Sequence, residues 1–224
     1  MSISHWSQGE RPRDKLLGRG VAALSDAELL AVLLRTGCSG CSALQLASDL
    51  LGQFNGLGGV LRADRGQLEG QRGVGAAKYA LLCASLEVAR RQALEALGSA
   101  DVLSSPQQTR RFLQHHLGAR QREVFSCLFL DSQNRLIRCD DLFLGTLDGA
   151  AVYPREVASR ALQYRSAAVI FAHNHPSGVA EPSTADRRIT ERLQAALGLL
   201  DIRVLDHIIV GRGHEYSFAE AGLL

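Results

Sequence analysis

The strongest constraint on this chain lies in residues 167–186. An unbroken apolar run, Ala167-Ala168-Val169-Ile170-Phe171, reads as a buried strand and leads into Ala172-His173-Asn174-His175-Pro176-Ser177-Gly178. In an extended chain, positions i and i+2 face the same side, so both imidazoles can reach one point. Pro176 and Gly178 turn the chain back. Ser183 then caps a helix, and Asp186 falls in its first turn, where its carboxylate can point at the same place. Two histidines and one carboxylate make three protein ligands. That leaves a fourth position open, the arrangement of a catalytic rather than a structural zinc site. The same donors also form the facial triad of non-haem iron oxygenases, but no cosubstrate site is specified here. A two-metal phosphodiesterase would need a second set of carboxylates and histidines near these residues, and the sequence offers none.

The flanking pattern places this segment in a C-terminal α/β domain spanning 102–224. Val124 to Leu130 and Leu136 to Leu144 read as strands around a polar turn, and Thr146 to Val152 as a third. Pro154 suits the first position of a helix reaching about Tyr164. Ser105-Pro106 opens a helix to Leu117, the helix capped by Ser183 runs to about Leu199, and Ile202 to Val210 closes as a strand. Alternating strands and helices of this kind give a mixed sheet flanked by helices.

The first part, 1–98, reads as all helix. Ser25 and Glu28 form a capping-box pattern ahead of Leu29, Leu30, Leu33 and Leu34 at helical spacing. Further helices are expected over Ser42–Leu51, in two short turns between Leu57 and Leu68, and from Ala76 to about Leu97. Before the last of these, Gly73-Val74-Gly75 with Lys78 resembles a helix-hairpin-helix motif. Both glycines are expected to allow positive φ and close backbone approach. The following helix N-terminus would offer N–H groups to a phosphate, with Lys78 adding charge. Gly73, Gly75 and Lys78 are thus candidates for weak, salt-sensitive DNA contact.

Bulk properties exclude several classes. The 224 residues are 46% hydrophobic and 21% charged, an ordinary globular balance, with a net charge of +2. That charge announces no nucleic-acid protein by itself. No apolar run approaches the length of a bilayer span, and Met1 to Lys15 lacks the apolar core of a signal peptide. A cytoplasmic protein without membrane attachment is expected. The cysteine count of five is odd, and Cys38-x-x-Cys41 has no second close pair to complete a zinc ribbon. These read as unligated thiols in a reducing compartment.

His173-x-His175, seven residues, then Ser183-x-x-Asp186 is similar to the JAMM motif of MPN-domain metalloproteases. The longer string His-Asn-His-Pro-Ser-Gly, with Tyr153-Pro154-Arg155-Glu156-Val157 and Leu205-Asp206-His207-Ile208-Ile209, resembles the bacterial RadC family. Arg11-Pro12-Arg13-Asp14-Lys15-Leu16-Leu17 and Leu24 to Leu30 resemble it too, so the likeness spans the chain. It implies an N-terminal helix-hairpin-helix-like region and a C-terminal MPN/JAB1-like, cytidine-deaminase-like domain. It also implies one zinc per chain on His173, His175 and Asp186. Ser183 would hydrogen-bond the tetrahedral intermediate, and a glutamate would take a proton from the zinc-bound water. Glu123, ahead of the first strand, is preferred for that role over Glu156. Asp206 and His207 could stand behind the ligands, whereas His115 and His116 read as surface or packing residues. Asn174 replaces the Ser or Thr of many eukaryotic relatives and touches no ligand. The activity implied is that of a peptidase or isopeptidase on an unspecified peptide or protein substrate. The alternative is a DNA-associated repair accessory protein with a non-catalytic MPN domain.

Overall fold

The computed structural model describes residues 9–98, 102, 106–145 and 152–224. The chain forms two compact units, Met1–Val88 and Ala89–Leu224.

In the first unit, helices α1 (Pro12–Arg19), α2 (Asp26–Leu34), α3 (Ala43–Gln53), α4 (Leu57–Arg62), α5 (Arg65–Glu69) and the beginning of α6 (Ala76–Gly98) follow one another. Their starts are chemically marked. Ser25 Oγ accepts from Glu28 N while Ser25 N donates to Glu28 Oε2, completing the expected capping box. Ser42 caps α3, and Asp64 with Gln67 forms a second box at α5. Leu30 and Leu34, Leu46 and Leu50, and Val60, Leu68 and Leu82 bury their side chains in one core. Each such leucine contributes about 1.5–3 kcal/mol of transfer free energy. Lys15 Nζ reaches Glu28 at 2.8 Å and ties α1 to α2. The polar stretch that becomes α1 carries no apolar stripe, and its proline at the first turn is the local signal for it.

The second unit holds α7 (Pro106–Leu117), β1 (Val124–Leu130), β2 (Leu136–Leu144), α8 (Pro154–Gln163), β3 (Ala168–Asn174), α9 (Thr184–Gly198), β4 (Arg203–Val210) and β5 (Glu215–Ser217). The sheet order is β2-β1-β3-β4-β5. β3 and β4 are parallel and joined through α9, while the other neighbours are antiparallel, so the sheet is mixed as expected. Every residue of β1 and β3 is buried. Alternation divides them between two layers. Leu128, Leu130, Ala168, Ile170 and Ala172 pack with Phe112, Leu113 and Leu117 of α7. Phe125, Cys127, Phe129, Val169 and Phe171 pack with Val157 and Ala161 of α8 and Leu193 and Leu197 of α9. His173 continues the second series.

Two differences from the sequence reading have physical reasons. The strand expected over residues 167–171 extends to Asn174, because Ala172 and His173 keep pairing with Ser126 and Phe125. The expected domain limit at residue 98 falls instead at Val88/Ala89, inside α6: Ala93 and Leu97 pack with Phe112 and the sheet, whereas Leu82 packs in the helical core. Of the expected strand 146–152, residues 146–151 lie outside the described residues, and Val152 precedes α8 without strand pairing. Among the described residues, no helix is long and apolar enough to cross a membrane.

Candidate metal centre

The β3–α9–β4 crossover builds the site. In such parallel units the crevice beyond the carboxyl ends of the strands, facing a helix N-terminus, is where ligands are held. β3 carries His173 as its next-to-last residue, His175 follows directly after the strand, and Asp186 occupies the first turn of α9. Gly178 turns the connecting loop at φ +91°, and a Cβ there would stand 2.6 Å from the Arg212 side chain. Gly178 N donates to His175 O and Arg212 N to Gly178 O, so the loop is pinned to the end of β4.

Among the described residues, His173, His175 and Asp186 are the one group of His, Cys, Asp and Glu whose ligand atoms converge tightly enough to hold a metal. His173 Nε2 lies 3.0 Å from His175 Nε2 and 3.2 Å from Asp186 Oδ1, and His175 Nε2 lies 3.5 Å from Asp186 Oδ2. Tetrahedral zinc with bonds of about 2.0–2.1 Å has ligand–ligand edges of about 3.3 Å. The donor triangle therefore has the size and chemistry of a zinc site.

Both imidazoles are anchored through their other nitrogen. His175 Nδ1 is 2.8 Å from the Val179 carbonyl, which can only accept, so Nδ1 donates and Nε2 is the nitrogen turned toward His173 and Asp186. His173 Nδ1 faces His207 Nε2 at 2.8 Å, and Phe125 stacks on its ring. Electrostatics follow from this packing. Burial alone would push the Asp186 carboxyl up, but the bonds to His173, His175 and Ser183 hold it far below the usual carboxylate range. Asp186 in turn raises His175, against burial. Burial pushes His207 well down, and the neighbouring His173 adds to this.

Ser183 is both cap and partner. Its N and Oγ donate to Asp186 Oδ2 at 2.7 and 2.6 Å, and its Oγ accepts from Asp186 N at 3.1 Å. Asp186 Oδ1 thus faces His173, while Oδ2, held by the cap, is the oxygen that lies 3.5 Å from His175. Glu123 immediately precedes β1, and its charge contributes to raising His175. Its carbonyl accepts from Gly145 N. Glu156 lies exposed on α8 and pairs with Arg155.

Two residues gain roles that the sequence reading did not give them. Asn174 was expected to touch no ligand, and its side chain serves the glutamate instead. Its Nδ2 donates to Arg120 O and Arg122 O, and its Oδ1 accepts from Val124 N, which clamps both sides of Glu123 to β3. A buried polar side chain between two histidines was the available signal, since such a group must find partners. Thr190, one turn after Asp186, lies 2.6 Å from His207 Nδ1. His207 itself, placed behind the ligands as one of two candidates, touches His173. Its neighbour Asp206 instead accepts from Ser217 Oγ and Ala219 N and anchors β5.

The remaining candidates lie in the helical unit. Gly73 has φ +89°, and a Cβ there would come 2.7 Å from Cys38 Cβ. The expectation of positive φ at Gly75 is corrected: Gly75 is not left-handed, and an added Cβ would meet open space. Lys78 Nζ donates to Gly37 O at 2.9 Å and Gly73 O at 2.7 Å, closing two loops onto α6. Cys38 and Cys41 pair backbone to backbone across the turn between them. In the sheet unit, His116 binds Asp141 at 2.6 Å, a packing role, and His115 is exposed.

Comparison with known proteins places these residues in context. A family model described as a RadC-like JAB domain matches residues 103–223, and one described as UPF0758 N-terminal matches residues 3–80. The chain is 58% identical to a UPF0758 protein of Cellvibrio japonicus, 57% to one of Thioalkalivibrio sulfidiphilus and 55% to one of Aeromonas hydrophila. Each alignment covers all of both chains.

Proposed function

The chain belongs to the RadC-like JAB domain family, and from that premise we propose that it is a zinc-dependent hydrolase acting on a peptide or isopeptide bond. The observation that carries this reading is the convergence of the His173 and His175 imidazoles and the Asp186 carboxylate tightly enough to hold a metal, with the charge of Glu123 acting on His175. His173, His175 and Asp186 would hold one zinc per chain. Zinc there supplies Lewis acidity toward water and toward the scissile carbonyl.

The protein's own groups do the rest. Glu123 takes the proton of the attacking water and returns it to the leaving amine, as a general base and then acid, worth about 10²–10⁴-fold in rate. Glu156 is exposed and paired with Arg155, so Glu123 is preferred for this task. Ser183 Oγ exchanges its bond to Asp186 for the oxyanion that develops on the carbonyl. The Asn174 clamp keeps the Glu123 backbone against β3 while this happens.

Glu123→Gln separates ligand from base. The variant retains stoichiometric zinc by elemental analysis and loses most turnover in a peptide and isopeptide library screen. Normal turnover by Glu123→Gln, with zinc-loaded Glu156→Gln inactive, would transfer the base to α8.

A further inference from the structure

Behind the metal ligands runs a series of three hydrogen bonds among buried groups: Thr190, His207 and His173. The positions of their protons follow from one backbone carbonyl. Thr190 Oγ1 is 2.6 Å from Asp186 O, which can only accept, so the hydroxyl proton goes there. The same oxygen lies 2.6 Å from His207 Nδ1 and must accept, so Nδ1 carries a proton. The partners of His207 are a hydroxyl and an imidazole, and with Nδ1 as the ring's donor its Nε2 is left to accept. That nitrogen faces His173 Nδ1 at 2.8 Å, which must therefore donate. His173 is left with an unprotonated Nε2 aimed at His175 and Asp186. The His207 ring cannot easily rotate out of this pattern: Phe218 stacks on it at 4.9 Å, and Phe125 and Phe171 present their rings edge-on.

We propose that Thr190 and His207 are positioning residues that fix the tautomer and ring orientation of His173, and so set metal affinity without reaching the metal. This rests on the zinc reading above. The two histidine ligands are then held unequally. His175 is oriented by a backbone carbonyl that no side-chain substitution removes, and His173 by a side-chain relay that one substitution breaks. The relay also begins at the carbonyl of Asp186, so the third ligand and the first share one hydrogen-bonded path.

The test uses the full-length, metal-free protein titrated with Zn²⁺ against a chromophoric chelator and, separately, with Co²⁺ for its visible absorption bands. Thr190→Val keeps the shape of the side chain and removes the hydroxyl. Its zinc affinity should fall by about 10–100-fold, as for other groups behind metal ligands, and its Co²⁺ bands should change. Thr190→Ser restores the hydroxyl and should restore both readouts. Long-range ¹⁵N NMR of the metal-free wild type should show protons on Nδ1 of both His173 and His207. Wild-type zinc affinity and Co²⁺ bands in Thr190→Val, with or without a lower melting temperature, would overturn the relay and leave the zinc site standing. A proton on His173 Nε2 would also overturn it. Failure of the wild type to bind either metal would instead bring down the zinc reading, and the relay with it.

Discussion

Two helices of this chain begin with the same device, and only one of them builds a site. At α2, Ser25 N and Oγ donate to Glu28 Oε2; at α9, Ser183 N and Oγ donate to Asp186 Oδ2. Both boxes satisfy helix N-terminal donors in the same way. They differ in what the carboxylate meets next. Glu28 meets Lys15, a permanent cation that completes its bonding and joins α1 to α2. Asp186 meets the Nε2 atoms of two imidazoles, His173 at its Oδ1 and His175 at its Oδ2. A cap closed by an ammonium is structure. A cap facing two imidazole nitrogens is a candidate cation site.

The comparison is broken most severely by removing the anionic ligand. Asp186→Asn should lose stoichiometric zinc and all turnover, by elemental analysis after desalting, while Glu28→Gln should leave zinc content untouched and lower only stability. Equal zinc in both variants would erase the distinction. The core of the helical unit supplies the next contrast. Leu50→Ala should cost about 2–5 kcal/mol in urea denaturation, with zinc stoichiometry unchanged in the folded protein. Zinc lost in parallel with stability would mean that the two units are not energetically separable.

Smaller effects sharpen the picture. Lys78→Met strips a charged donor from two loop carbonyls and should destabilise by about 1–3 kcal/mol. Lys78→Met that binds duplex DNA less well at low salt but melts like wild type would favour a phosphate-facing lysine instead. Acid stability isolates another network. Burial alone would raise the Asp141 carboxyl, but the bonds from His116 and Ser126 and the Arg120 guanidinium bring it down to about 2. Its unfolded value is about 3.9. The resulting stabilisation is complete above that value and is lost as pH falls toward 2. After allowance for solvent screening it amounts to about 1–2 kcal/mol. Asp141→Asn should therefore flatten the stability–pH curve between these limits, and an unchanged slope in urea melts would contradict the assignment.

The parts of this protein legible in the sequence are those set by neighbours along the chain. The caps at Ser25 and Ser183 need only helix periodicity, and they stand where that periodicity puts them. What was not legible depends on long-range placement. His207 meets His173 only because β3 and β4 run parallel in a particular register. Lys78 turns inward because Gly37, 41 residues away, offers a carbonyl. The limit between the units falls inside α6 because a continuous helix changes its packing partner without any break in sequence pattern. The three residues of β5 are too few for a periodic signal, and the bond from Ser217 to Asp206 holds them.

The central claim is that His173 of β3, His175 just after it and Asp186 of α9 converge to hold one zinc. Metal-free wild type and His175→Ala, reconstituted with Zn²⁺ and desalted, test it by elemental analysis. The account predicts one equivalent of zinc in the wild type and none in His175→Ala, with both proteins folded by circular dichroism. A full equivalent retained by His175→Ala would contradict it.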